Sequence, residues 1–207
     1  MVAWKPKIAD YVDQGTDDEK RATLTPAVSR PPWSSRPTPT RTYRCLSIGR
    51  KTTEGHELWS KLSEDYGLEK WNTILVNTTG LAHGPDVEDG AHCGLNGDIW
   101  AAVVREGPEV LENIWKEMER KLTHYIDEDE TKINLLFQCK WGKHRSVATA
   151  EITKFMIGDA AKTPEHLAKP RWGKYKCGRR WCECHDMNAK KQDVLGEARA
   201  IWRRVWG

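Results

Sequence analysis

The apolar positions of this chain recur at two spacings, and the alternation between them sets the architecture. Three short β-prone runs read as strands: YRCLSIG (43–49), closed by Gly49, NTILVN (72–77), apolar in its middle as a buried strand is, and INLLFQ (133–138). Elsewhere the spacing is helical. TEGHELWSKLSEDYG (53–67) puts Leu58 and Leu62 on one face, with Gly67 as the stop. DIWAAVVRE (98–106) reads as a second helix. From Pro108 to about Ile126, a stripe of Val110, Leu111, Ile114, Met118, Leu122 and Tyr125 marks a third; Pro108 suits its first position, and Glu109 and Glu112 complement its dipole. SVATAEITKFMIG (146–158) is apolar nearly all round in its first turns, which predicts a buried helix. A last helix, Asn188 to Trp206, turns Val194, Leu195, Ala198, Ile201, Trp202 and Val205 inward. Strands alternating with helices predict an α/β fold, a mainly parallel sheet with flanking helices.

Two stretches carry neither spacing. Residues 1–41, including TPAVSRPPWSSRPTPTRT, are rich in Pro, Ser, Thr and Arg and are expected to be a disordered leader before a single domain over 42–207. Residues 78–97, TTGLAHGPDVEDGAHCGLNG, form a long Gly-rich loop of a length that compact domains usually reserve for function.

Composition narrows the classes. The net charge of +3 permits a nucleic-acid partner without requiring one. No apolar run approaches a membrane span, so no membrane partner is expected. The opening MVAWKPKIADYVDQ lacks the apolar core of a secretory signal, and six cysteines without one argue for reduced thiols in the cytoplasm or nucleus. Eleven tryptophans against two phenylalanines leave two uses open, burial in the core or stacking on bases.

The concentrated chemistry is FQCKWGKHRSVATAEI (137–152), which joins the third strand to the buried helix. A strand, a tight loop and a helix start turn successive amides toward one point, where the helix adds partial positive charge. Lys140, Lys143, His144 and Arg145 add cations, and Gly142 lets the turn tighten. This predicts an anion cradle, with Gly142, Lys143, His144, Arg145 and Ser146 as its binding residues; the plain alternative is a basic β–α turn with solvated lysines. An enzymatic alternative makes Cys139 a nucleophile, since Cys-x5-Arg-Ser is the spacing of cysteine-dependent phosphatases, with Arg145 steadying the transferring group. Gln138 stands where that signature usually has His. The candidate acids Asp86, Asp89 and Asp98 have no Trp-Pro-Asp context.

CKWGKHRSVATAEI also resembles the Cys-Thr-Gly-Gly-(Lys/Gln)-His-Arg-Ser-Val run of the RapZ C-terminal domain, a family found in bacterial RNase adapter proteins. The likeness covers Gly142, Lys143, His144, Arg145, Ser146 and Val147, then Ala150 and Glu151. LSIG looks like that domain's opening strand, and GLNGDIWAAVVREGPEVLENIWKEMERKL is similar to its Thr-Gly-Leu-Asp stretch and the helices after it, so the resemblance spans roughly 43–190. It implies an α/β domain that binds a phosphorylated sugar or nucleotide, and RNA, rather than an enzyme. In that reading Arg145 clamps the anion, the amides of Lys143 to Ser146 cradle it, His144 contacts the anion or orients its neighbours, and Cys139 is structural. The chain departs from the family at Asn77-Thr78-Thr79 and at Lys140-Trp141. Those departures support a third alternative, a protein-interaction domain without a ligand.

A second signal lies in KTPEHLAKPRWGKYKCGRRWCECH (162–185), where Lys169, Arg171, Lys174, Lys176, Arg179 and Arg180 alternate with Trp172, Tyr175 and Trp181. Cations interleaved with aromatics suit single-stranded RNA; the plain alternative is a basic surface loop pinned by its rings. Cys177, Cys182, Cys184 and His185 could supply zinc ligands, with His92 and Cys93 able to complete the set, although Cys-x-Cys-His is cramped for one tetrahedral ion.

Overall fold

The computed structural model describes residues 41–50, 58–84, 92–127, 130–172 and 188–207. Four strands form one all-parallel sheet in the order β2-β3-β1-β4. They are β1 (Thr42–Gly49), β2 (Thr73–Asn77), β3 (Lys132–Cys139) and β4 (Glu165–His166). Five helices connect and cover them: α1 (Leu58–Tyr66), α2 (Gly97–Arg105), α3 (Pro108–Asp127), α4 (Arg145–Ile157) and α5 (Asn188–Trp206). This is the expected α/β fold.

Period-2 alternation in the strands sorts the core into two faces. Tyr43 and Cys45 of β1, Ile74 and Val76 of β2, and Ile133, Leu135 and Phe137 of β3 meet α2, α3, α4 and α5 on one side. Leu46, Ile48 and Leu136 meet Leu62 of α1 and Leu68 on the other. Helix α4 packs against both central strands and is buried nearly all round, as its composition predicts. Gly67 ends α1 at φ +63°, its N–H donating to Ser63 O at 2.9 Å. Trp115 of α3 is fully buried; its indole N–H donates to Thr153 Oγ1 at 3.1 Å and its ring meets Trp202 edge-on at 5.0 Å.

Strand β4 has no counterpart in the sequence pattern. It is two residues long, in a polar stretch, and pairs Glu165 with Leu46 and His166 with Ser47. Among the described residues no helix is long and apolar enough to cross a membrane.

The carboxyl ends of β1 and β3 lie side by side, Gly49 beside Cys139, with Asn77 of β2 opposite Gln138. Backbone packs on backbone there. A Cβ on Gly49 would stand 2.6 Å from the carbonyl carbon of Trp141, and one on Gly142 would stand 2.3 Å from Gly49 N. Gly94 fits as closely against α4, 2.2 Å from His144 O by the same measure. By contrast nothing lies within 4 Å of the corresponding point on Gly196, which is exposed in α5. Thermal denaturation should therefore separate two alanine variants. Gly196→Ala stabilises the domain by about 0.5–1 kcal/mol. Gly94→Ala destabilises it by about 1–3 kcal/mol, the usual cost of overpacking, or more.

Candidate anion-binding site

The loop between β3 and α4 begins at Cys139, turns at Gly142 with φ +67°, and delivers Arg145 as the first helical residue. Cys139 is 3% exposed, its Sγ 3.2 Å from Ser146 Oγ. Burial acts to raise its pKa, but the Ser146 hydroxyl and the amides of Ser146, Gly142 and Trp141 hydrogen-bond the sulfur and outweigh it, so the thiol lies below its ordinary value. Cys45 shows the opposite outcome under similar burial: without such donors, desolvation and then Glu151 push it up to about 12. The loop is a ring of amides around one sulfur.

Arg145 is 7% exposed. Its Nη1 donates to the carbonyl oxygens of Thr79 and Leu81, the latter at 3.1 Å. That end of the guanidinium anchors the turn after β2. The turn is shaped for this. Asn77 Oδ1 accepts from Thr79 N at 3.1 Å and Thr79 Oγ1 at 2.9 Å, and Thr78 gives both its N–H and its hydroxyl to Gln138 O. Burial lowers the Arg145 pKa and Cys139 opposes that effect, which couples the two groups electrostatically. No carboxylate among the described residues pairs with Arg145.

His144 is tied to the Gly-rich loop through one ring nitrogen. Its Nε2 lies 2.9 Å from His92 O, and a carbonyl only accepts, so Nε2 carries the proton. Burial, and then Lys143, push the imidazole down to about 4, which leaves it neutral near pH 7. Nδ1 is then an acceptor. The Gly-rich loop closes on this wall: Gly94 N–H donates to Lys143 O at 2.8 Å, and Gly94 O accepts from the Trp100 indole at 2.7 Å. Cys93 is buried with Val147, Ala168 and Trp172 under the cradle. Lys143 is also buried. His83, an exposed residue that the motif analysis passes over, titrates below its ordinary value through burial and then Arg145, which places it within electrostatic reach of the site.

Trp172 corrects an expectation. Proposed as a stacking ring, it is 5% exposed, and its indole N–H donates to Gly142 O at 3.3 Å, so it supports the loop from beneath. Of the other residues expected to touch RNA, Lys169 is exposed and Arg171 closes the same short 3-10 turn, Lys169–Arg171. Lys174, Tyr175, Lys176, Arg179, Arg180 and Trp181 lie outside the described residues, as do Cys177, Cys182, Cys184 and His185 of the suggested zinc set. Among the described residues no group of three or more His, Cys, Asp or Glu side chains is arranged to hold a metal. Of the acids suggested for a phosphatase, Asp86 and Asp89 are not described, and Asp98 is ion-paired with Lys190.

One polar chain went unread in the sequence. Ser47 Oγ lies 3.0 Å from His166 Nδ1, and His166 Nε2 lies 3.0 Å from Glu151 Oε1. It ties β1, β4 and α4 together, and the His166 ring sits 5.8 Å from that of Trp172. Ser47 is fully buried, which excludes it as a nucleophile and makes the chain a brace for the segment beneath the loop.

No model of a known protein family matches this chain, and no curated protein matches it significantly.

Two outcomes follow from the titrating groups. Alkylation of Cys139 by iodoacetamide should rise with pH with a midpoint below the ordinary thiol value of about 8.5, and Ser146→Ala should move that midpoint upward. Cys45 should stay unmodified over the same range, as peptide mapping would show. Separately, the unfolded chain binds a proton at the His144 position near pH 6.5, while the folded site resists it down to about pH 4. Stability contributed by the neutral ring is complete above pH 6.5 and is lost as pH falls toward 4. His144→Gln, which keeps a donor for His92 O, should flatten that part of the stability–pH curve in denaturant titrations.

Proposed function

We propose that the chain binds a phosphate-bearing ligand, a nucleotide or phosphosugar, in the cradle from Gly142 to Ser146. The observation that carries this reading is the buried charge of Arg145, set at the N-terminus of α4 with no described carboxylate against it. The first turn of α4 contains no acid, and its leading amides have no intrahelical acceptors. Cation, helix dipole and amides all favour an anion at one place. In the proposed complex the amides of Lys143 to Ser146 and the guanidinium of Arg145 take the phosphate oxygens, while His144 keeps the Gly-rich loop against the cradle. The likeness of this loop to the RapZ C-terminal domain supports the same class of ligand.

A second reading has its own support in the lowered thiol pKa of Cys139. In a phosphatase the Cys139 thiolate would attack phosphorus, the P–O bond to the alcohol would break with a proton delivered to the leaving oxygen, and water would then hydrolyse the phosphocysteine. Of the suggested acids, Asp98 is committed to Lys190, and Asp86 and Asp89 lie outside the described residues. A binding cradle needs no acid, which favours the first reading.

The test uses the wild-type protein, because Arg145→Ala would also strand the Thr79 and Leu81 carbonyls at about 1–3 kcal/mol each and confuse binding with stability. Inorganic phosphate or a hexose phosphate should slow iodoacetamide modification of Cys139 several-fold, with sulfate as a weaker competitor. A rate indifferent to saturating phosphate would sink the cradle. Release of p-nitrophenolate from p-nitrophenyl phosphate, abolished by Cys139→Ser, would shift the conclusion to the enzyme.

A further inference from the structure

We infer that Trp141 is a stacking platform and that the ligand is a nucleoside monophosphate, its base lying on the indole while its phosphate occupies the cradle; this deepens the cradle reading and rests on it.

The argument starts from where tryptophan side chains go. Trp100, Trp115, Trp172 and Trp202 are all buried, as a core use of this residue requires. Trp141 is 56% exposed. A single exposed aromatic is ordinary, so exposure alone decides nothing. Trp71 is as exposed, and it sits in the short turn before β2, at the opposite end of the sheet from the cradle.

Position and rigidity distinguish Trp141. Its amide is one of those hydrogen-bonded to Cys139 Sγ, so its Cα belongs to the wall of the cradle. Its carbonyl group is pressed against Gly49 so closely that a Cβ there would stand 2.6 Å away. The backbone is fixed while the side chain projects outward. Ordering this indole on a ligand therefore costs side-chain rotamer freedom and little backbone freedom. Lys140 Nζ lies over the ring at 5.7 Å from its centroid, a cation–π contact that a base stacking on that face would displace.

A nucleoside monophosphate matches that layout. Its phosphate and its planar base are joined through one sugar, as the cradle and the Trp141 indole are joined through one short loop, Cys139 to Ser146. A phosphosugar offers the indole only a small C–H face, whereas a base offers an entire π face. Base–aromatic stacking changes affinity by roughly ten-fold or more.

Isothermal titration of wild type and Trp141→Leu with ribose 5-phosphate, adenosine 5′-monophosphate and a 5′-phosphorylated trinucleotide tests this. The expected result is that wild type binds the mononucleotide roughly ten-fold or more tightly than the sugar phosphate. Trp141→Leu, at an exposed position and with unchanged thermal stability, should bind the two equally and match wild type on the sugar phosphate. Tighter binding of the trinucleotide, lost without its 5′-phosphate, identifies the source as an RNA end; equal binding identifies a free nucleotide. Equal affinity of wild type for sugar phosphate and mononucleotide overturns the platform and leaves the cradle standing. Binding of neither overturns the cradle and the platform together.

Discussion

A Cβ on Gly49 would stand 2.6 Å from the carbonyl carbon of Trp141, and one on Gly142 only 2.3 Å from Gly49 N. No side chain fits between the end of β1 and the loop that follows β3. The contact lets the loop fold back over the strand ends and aim its amides at Cys139, and the placement of Arg145, His144 and Trp141 follows from it. From above, Gly94 presses on the start of α4, and from below Trp172 supports Gly142. The cradle is shaped by main chain held from three sides, and its side chains are presented by that frame.

The electrostatics are correspondingly one-sided. Lys143, His144 and Arg145 are all buried at the positive end of α4, where cations are unfavourable. Neutralising His144 relieves one of them, and the ring of donors draws Cys139 toward its thiolate, which relieves more. An anion above the sulfur would share the same donors and would compete with the thiolate for them, so occupancy of the cradle and reactivity of Cys139 oppose each other.

The elements with strong periodicity were legible because their signal is local. Pro108, Gly67 and the stripe from Val110 to Tyr125 announce helices from neighbours three and four residues apart. The strand–loop–helix turn was legible for the same reason, since β3, Gly142 and the start of α4 are contiguous. What could not be read depends on partners far along the chain. Strand β4 exists because Glu165 and His166 find Leu46 and Ser47. The indole of Trp172 looks like a stacking ring until Gly142 O claims its proton. The tautomer of His144 is decided by the carbonyl of His92, and half of Arg145 by those of Thr79 and Leu81. Asn77-Thr78-Thr79 read as a departure from a family pattern; in the fold these residues shape the turn that holds the arginine.

The brace of Ser47, His166 and Glu151 has a consequence for how the domain breathes. Strand β4 is joined to β1 through two residues, so the segment carrying Ala168 and Trp172 depends on this polar chain, on the Arg44–Glu165 ion pair and on the small cluster around Cys93. Opening such a segment would cost less than opening the sheet behind it, where eight paired rungs join β1 and β3. Amide exchange at Ala168 and Trp172 would then report the latch rather than the fold.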